Sequence, residues 1–213
     1  MAYETEEEQI EAIKRWWQEN GRAVIAGVVV AVLGFVGWHQ WQSYQRSQSL
    51  AAAEAYQEVL SALNNDDLPT AREKASRLNA EHGGSVQAVI AGLRLGGVHA
   101  ERGDYEAAEE ALVRARDAAS NKALERLATL RVAVARDAQG KQDAALELLE
   151  PAPDGEYAVR YNELIGDIRA SRDEREAAVE AYRAAIDAGA RARRRGLIQL
   201  KLADLGAGTG SSS

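Results

Sequence analysis

Three histidines, His39, His82 and His99, carry whatever acid–base or metal chemistry this chain offers. His39 falls at the edge of an apolar run, His82 at a helix end and His99 inside a helix. None has an Asp, Glu or His at metal-ligand spacing that a helical repeat does not already explain, and His99 reads as a packing residue. There is no cysteine, which removes thiol catalysis, disulfides and thiolate metal sites. Carboxylates abound, but they sit beside arginines on solvated helix faces, as in Glu176 and Glu180 with Arg175 and Arg183. General acid–base work needs a pocket that perturbs a carboxyl pKa, and nothing in the sequence marks one. Phosphate loops, nucleophile elbows and zinc motifs are missing as well. The expectation is no enzyme, no cofactor and no metal. One basic cluster stands out: Arg191, Arg193, Arg194 and Arg195, against 22 basic and 27 acidic residues beyond Arg46. It either docks an acidic partner or lipid headgroups, or is the solvated face of a closing helix. A net charge of −7 over 213 residues argues against nucleic acid as partner.

The elements that position these residues are helical. Ala, Glu, Arg and Leu dominate, and no stretch alternates with period two, so sheets are not expected. All four tryptophans and the only phenylalanine lie between residues 16 and 41. From Ala23 to Gln45 no Asp, Glu, Lys or Arg occurs. At about 1.5 Å per residue this run crosses a hydrocarbon core of about 30 Å. Trp16 and Trp17 precede it, and Trp38, Trp41 and Tyr44 close it, as aromatic belts do. A cleaved signal peptide would be shorter and end in a small-x-small site, which Trp38-His39-Gln40-Trp41 is not. Lys14, Arg15 and Arg22 before the run, against Arg46 after it, predict a cytoplasmic N-terminus. Ala23, Gly27 and Ala31 would let another helix approach the span closely. The expected organisation is an acidic tail (1–22), a span (23–45), a helical domain on the far side (46–205) and a flexible tail (206–213).

Helices are expected at about 48–64, 69–81, 85–102, 105–119, 122–138, 142–150, 156–171, 174–188 and 191–205. Within them a repeat emerges. Gly103-Asp-Tyr-Glu-Ala-Ala108 matches Gly140-Lys-Gln-Asp-Ala-Ala145, and Arg172-Asp-Glu-Arg-Glu-Ala-Ala178 reads as a third copy with one extra residue. Ala108, Ala145 and Ala178 are followed by Leu112, Leu149 and Tyr182, and preceded by the small residues Gly96, Ala133 and Gly166. A small residue on the first helix of each pair would then face the second helix. Residues 47–82 read as a weaker pair and 191–205 as a terminal capping helix.

These spacings resemble the tetratricopeptide repeat, with its usual Trp replaced by Gly92, Thr129 and Asn162 and its Tyr by His99, Arg136 and Arg169. The implied fold is all-α: a transmembrane helix followed by a degenerate tetratricopeptide-like solenoid. The repeat's groove positions carry over to Leu93, Gly97, Leu127, Leu130, Val134, Arg160, Glu163 and Asp167, unless Leu127, Leu130 and Val134 are packed under neighbouring helices instead. Glu8-Gln-Ile-Glu-Ala-Ile-Lys-Arg-Trp-Trp-Gln-Glu-Asn-Gly-Arg22, running into the span, resembles the ancillary subunits of the SecYEG translocon, single-span bacterial inner-membrane proteins with a periplasmic domain of this kind. The resemblance implies SecYEG, a membrane-anchored prolyl-isomerase-like periplasmic chaperone and translocating polypeptides as partners, and a role in handing emerging chains onward. It also suggests a tie between the cytoplasmic tail and envelope stress signalling. A scaffold for another envelope assembly, in division or wall synthesis, is the alternative.

Overall fold

The structure, a computed structural model, describes residues 2–155 and 157–207. The tail expected over 206–213 falls outside these residues from 208 onward. Among the described residues the regular elements are all helices: α1 (Ala2–Asn64), α2 (Leu68–His82), α3 (Val86–Glu101), α4 (Tyr105–Asp117), α5 (Lys122–Ala138), α6 (Gln142–Leu149), α7 (Ala158–Ser171), α8 (Arg175–Asp187) and α9 (Ala192–Asp204). The chain divides into two compact units, one up to Ala51 and one from Ala52.

In the first unit the expected apolar run and its flanks form one uninterrupted helix. The sequence reading separated a span ending at Gln45 from a helix starting at 48, but α1 has no break there. No Pro or Gly lies between Trp38 and Asn64. The hydroxyls of Ser47 and Ser49 bond back to the carbonyls of Tyr44 (2.8 Å) and Gln45 (3.0 Å) instead of capping a new start. The segment is long and apolar enough to cross a membrane, with mean hydropathy 1.9 in its most apolar window. Ile25, Val28, Val30, Leu33, Phe35 and Trp38 are exposed, as an apolar band facing lipid requires.

In the second unit successive helices pack against one another along the chain. The first helices of neighbouring pairs also meet, α3 with α5 and α5 with α7. The hairpin turns share one geometry. A residue in the left-handed region ends each first helix: Gly103 (φ 79), Gly140 (φ 76) and Asp173 (φ 60). The next N–H then reaches back five residues: Asp104 to His99 (3.0 Å), Lys141 to Arg136 (2.9 Å) and Glu174 to Arg169 (3.0 Å). Asp173 therefore occupies the glycine position, and the third copy carries no extra residue. Asp can stand there because it tolerates this conformation better than most residues.

The same turn sets the register of the weaker pair expected over residues 47–82. Asp66 (φ 62) ends α1, and Asp67 N–H returns to the Ala62 carbonyl at 3.0 Å. Counting from Asp66 as from Gly103 places Ala71 at the Ala108 position, and both are fully buried. Val59 then stands where the other first helices have a small residue, and Ala75 where their partners have a large one. Val59 and Ala75 share one apolar cluster, so the contact is kept with its two sizes exchanged. α9 ends in the same way, with Gly206 (φ 68) and Ala207 N–H to the Leu202 carbonyl at 2.8 Å. Its Ile198 is buried at the position of Leu95, Val132 and Ile165. Exposed Gln199 replaces the small residue that would admit a further helix. α9 is a first helix without a second among the described residues.

How close the pairs pack follows from what a methyl group would strike. A Cβ on Gly96 would lie 2.5 Å from Leu112 Cγ, and one on Gly166 would lie 2.5 Å from the Tyr182 ring. Gly96→Val should therefore lower the stability of the full chain by about 1–3 kcal/mol, measured by chemical denaturation in detergent. Asp173→Gly should raise it by up to about 1 kcal/mol, because glycine enters the left-handed region without a Cβ penalty.

Candidate partner-binding surface

The groove positions separate into core, lock and surface. Glu163 and Asp167 lie one turn apart on α7, and Arg194 and Lys201 two turns apart on α9, so each pair shares a helix face. Lys201 Nζ donates to Glu163 Oε1 (3.0 Å) and to Asp167 Oδ1 (2.6 Å) and Oδ2 (2.8 Å). Arg194 donates to the other Glu163 oxygen. The Tyr182 hydroxyl donates to Asp167 Oδ1 at 2.7 Å, and Lys201 Nζ lies 5.7 Å from the Tyr182 ring centre. Burial pushes the Glu163 carboxyl up, but the hydrogen bonds from Lys201 and Arg194 outweigh it and hold the group below its ordinary value. Burial pulls Lys201 down, and the bonds to Asp167 and Glu163 more than restore it. Tyr182 is raised by burial and by the Asp167 carboxylate that accepts its proton. These charges are engaged within the chain and fasten α9 onto α7 and α8.

The apolar candidates divide likewise. Leu93 (4% exposed) and Leu130 (8%) are core, and Leu127 is half-buried against the cluster of α3, α4 and α5. Val134 is 50% exposed, Gly97 is half-buried and Arg160 is exposed. Among the groove candidates, Val134 and Arg160 are thus exposed, and Leu127 and the locked Asp167 are half-buried. Beside Arg160 lies a cleft of about 520 Å³ at the head of α7, bounded by the end of α8 and the start of α9. Arg191 and Arg194 of the basic cluster line it. Sequence reasoning missed Arg194 and Lys201 as partners of Glu163 and Asp167. The available signal was the pairing of acids on one first helix with bases on the next.

Other ionisable groups hold the repeats together. Burial pushes the Glu109 carboxyl up, but hydrogen bonds from Arg136 (2.7 Å), Gln139 (2.9 Å) and Lys141 (3.1 Å) bring it down to about 2. This joins α4 to the turn between α5 and α6. Arg169 bonds Glu150 at 3.0 Å and also binds Glu174. His99 is 8% exposed, with Nδ1 3.3 Å from Asp104 Oδ2. Among the described residues no three His, Asp or Glu side chains gather as metal ligands do.

Helical pairs packed small-on-large, with an accessible first-helix face and a fastened terminal helix, define a helical repeat of the tetratricopeptide type. The tetratricopeptide repeat-like domain family matches residues 14–207. The chain is 32% identical over 206 residues to an ancillary SecYEG translocon subunit of Aggregatibacter actinomycetemcomitans, covering 96% of this chain and 100% of the relative. The ancillary SecYEG translocon subunit of Haemophilus influenzae is 30% identical over 195 residues, covering 89% of this chain and 93% of its own. That of Escherichia coli K12 is 27% identical over 206 residues, covering 95% and 98%. The chain belongs to the tetratricopeptide repeat-like family and, within it, to the family of the ancillary SecYEG translocon subunits.

Lys201→Met should cost about 1–2 kcal/mol, because it leaves two carboxylates facing each other at a partly solvated site. The folded pKa of Glu163 lies below its ordinary 4.5, so its contribution is present above that value and lost as pH falls through the folded pKa. Denaturation midpoints should therefore fall on acidification below about pH 4.5 in the wild type and less steeply in Glu163→Gln.

Proposed function

We propose that this protein is a membrane-anchored, non-enzymatic interaction subunit of the SecYEG translocon that helps pass translocated chains to periplasmic chaperones. The observation that carries this reading is the match to relatives so named over 96% of this chain and the whole of one relative. In this reading α1 crosses the inner membrane between residues 23 and 45. Lys14, Arg15 and Arg22 keep the N-terminus cytoplasmic, and the repeat unit stands in the periplasm. A membrane-anchored prolyl-isomerase-like chaperone is the expected neighbour. Leu127, Val134 and Arg160 form the accessible part of the surface offered to partners, while Leu93 and Leu130 maintain the packing beneath it. Glu163 and Asp167 act through the α9 lock. The span holds no Asp, Glu, Lys or Arg to fix a polar pair. It serves chiefly to raise the local concentration of the repeat unit at the membrane.

Two measurements test this. Gentle detergent extraction and affinity purification of the full chain should recover SecYEG. Recovery of division or wall-synthesis proteins without SecYEG would contradict the reading. Thiol labelling of Thr5→Cys and Ser120→Cys in intact cells should reach Ser120→Cys from the periplasm and leave Thr5→Cys protected, and the reverse pattern would overturn the topology.

A further inference from the structure

The arginine cluster is only partly absorbed by the α9 lock. Arg194 binds Glu163, whereas Arg160 and Arg191 are exposed and line the same cleft of about 520 Å³. Tyr157, Val159 and Ala188 supply apolar wall between the cations. Two helices start at this place, α7 after Tyr157 and α9 after Arg191. Neither start has a side-chain cap or an acid in its first turn, whereas α4, α5, α6 and α8 carry Glu106, Glu125, Asp143 and Glu176 there. The positive ends of the two helices thus add to the arginine charge. In an acidic chain of net charge −7, this is a local field of the opposite sign.

We propose that this cleft binds an acidic stretch of an extended polypeptide, with carboxylate side chains set against Arg160 and Arg191 and small apolar side chains against Tyr157 and Val159. The site rests on the reading of the first-helix face as a partner surface. Arg160 continues the column that holds Leu127 on α5, so a segment lying along that face runs into the cleft. Guanidinium forks suit carboxylates, which they engage with two parallel bonds. The mixed apolar lining favours a polypeptide over a phospholipid headgroup, which would leave Tyr157, Val159 and Ala188 without apolar contact.

The test uses the full chain in nanodiscs of neutral phosphatidylcholine and a fluorescent peptide of alternating Glu and Val with an amidated C-terminus. Fluorescence anisotropy should show binding that weakens at least about tenfold in the Arg160→Glu/Arg191→Glu double variant and is unchanged in Arg183→Glu on α8. It should also weaken as salt rises from about 0.05 to 0.5 M, and a Lys-Val peptide should not bind. Arg160→Gln/Arg191→Gln, checked for native circular dichroism, gives the same readout without charge reversal. Equal binding by the double variants, or equal binding of the Lys-Val peptide, would overturn the site. So would binding to phosphatidylglycerol vesicles, lost in the double variants, in place of the peptide. Failure of the unmodified chain to bind the Glu-Val peptide, with normal recovery of SecYEG, counts against this cleft alone. Peptide binding without recovery of SecYEG counts against the proposed function alone.

Discussion

The second unit depends on one contact: a side chain small enough to let two helices touch, facing one large enough to fill what remains. Gly96 under Leu112 and Gly166 under Tyr182 leave no room for a methyl group. Ala133 and Leu149 share an apolar cluster in the equivalent place. Interiors pack at crystal-like density, so this contact sets both how near the helices lie and how they rotate. Rotation decides which residues of α3, α5 and α7 are core and which remain accessible. Leu130 is buried, and Val134, one turn later on the same face, is half exposed.

The electrostatics serve the same stack. Glu109, Arg136, Gln139 and Lys141 tie one repeat to the next, where a tyrosine at the Arg136 position would have packed. At the end of the stack Glu163, Asp167, Tyr182, Arg194 and Lys201 fasten a helix that brings its own exposed arginines to the cleft. Arg136 and Arg169, at the usual tyrosine positions, are held in ion pairs, while Arg160 and Arg191 are exposed at one end of the first-helix face.

Much of this was legible in the sequence. The apolar run, the aromatic belts, the helix boundaries and the small–large spacing are all local patterns. The pair over 47–82 reads as a weak one in the sequence because Val59 and Ala75 exchange the two sizes, so only the turn at Asp66 reveals its register. Asp173 was misread as an insertion because glycine is the usual but not the sole residue for a left-handed helix end. The expected span and the helix after it are continuous because nothing between them breaks a helix, and the hydroxyls of Ser47 and Ser49 bond backward. Burial of Leu93 and Leu130, and the pairing of Glu163 with Arg194 and Lys201, depend on contacts between helices that spacing alone does not supply.

The central claim is that the first-helix face of this unit, organised by the small–large contact, is where partners are recognised. Photocrosslinking in living cells tests it most directly, with a benzophenone amino acid placed at Val134 on α5 or at Glu180 on α8. The account predicts adducts with translocon subunits or their clients from position 134 and none from position 180. Adducts from position 180 with none from position 134 would contradict it.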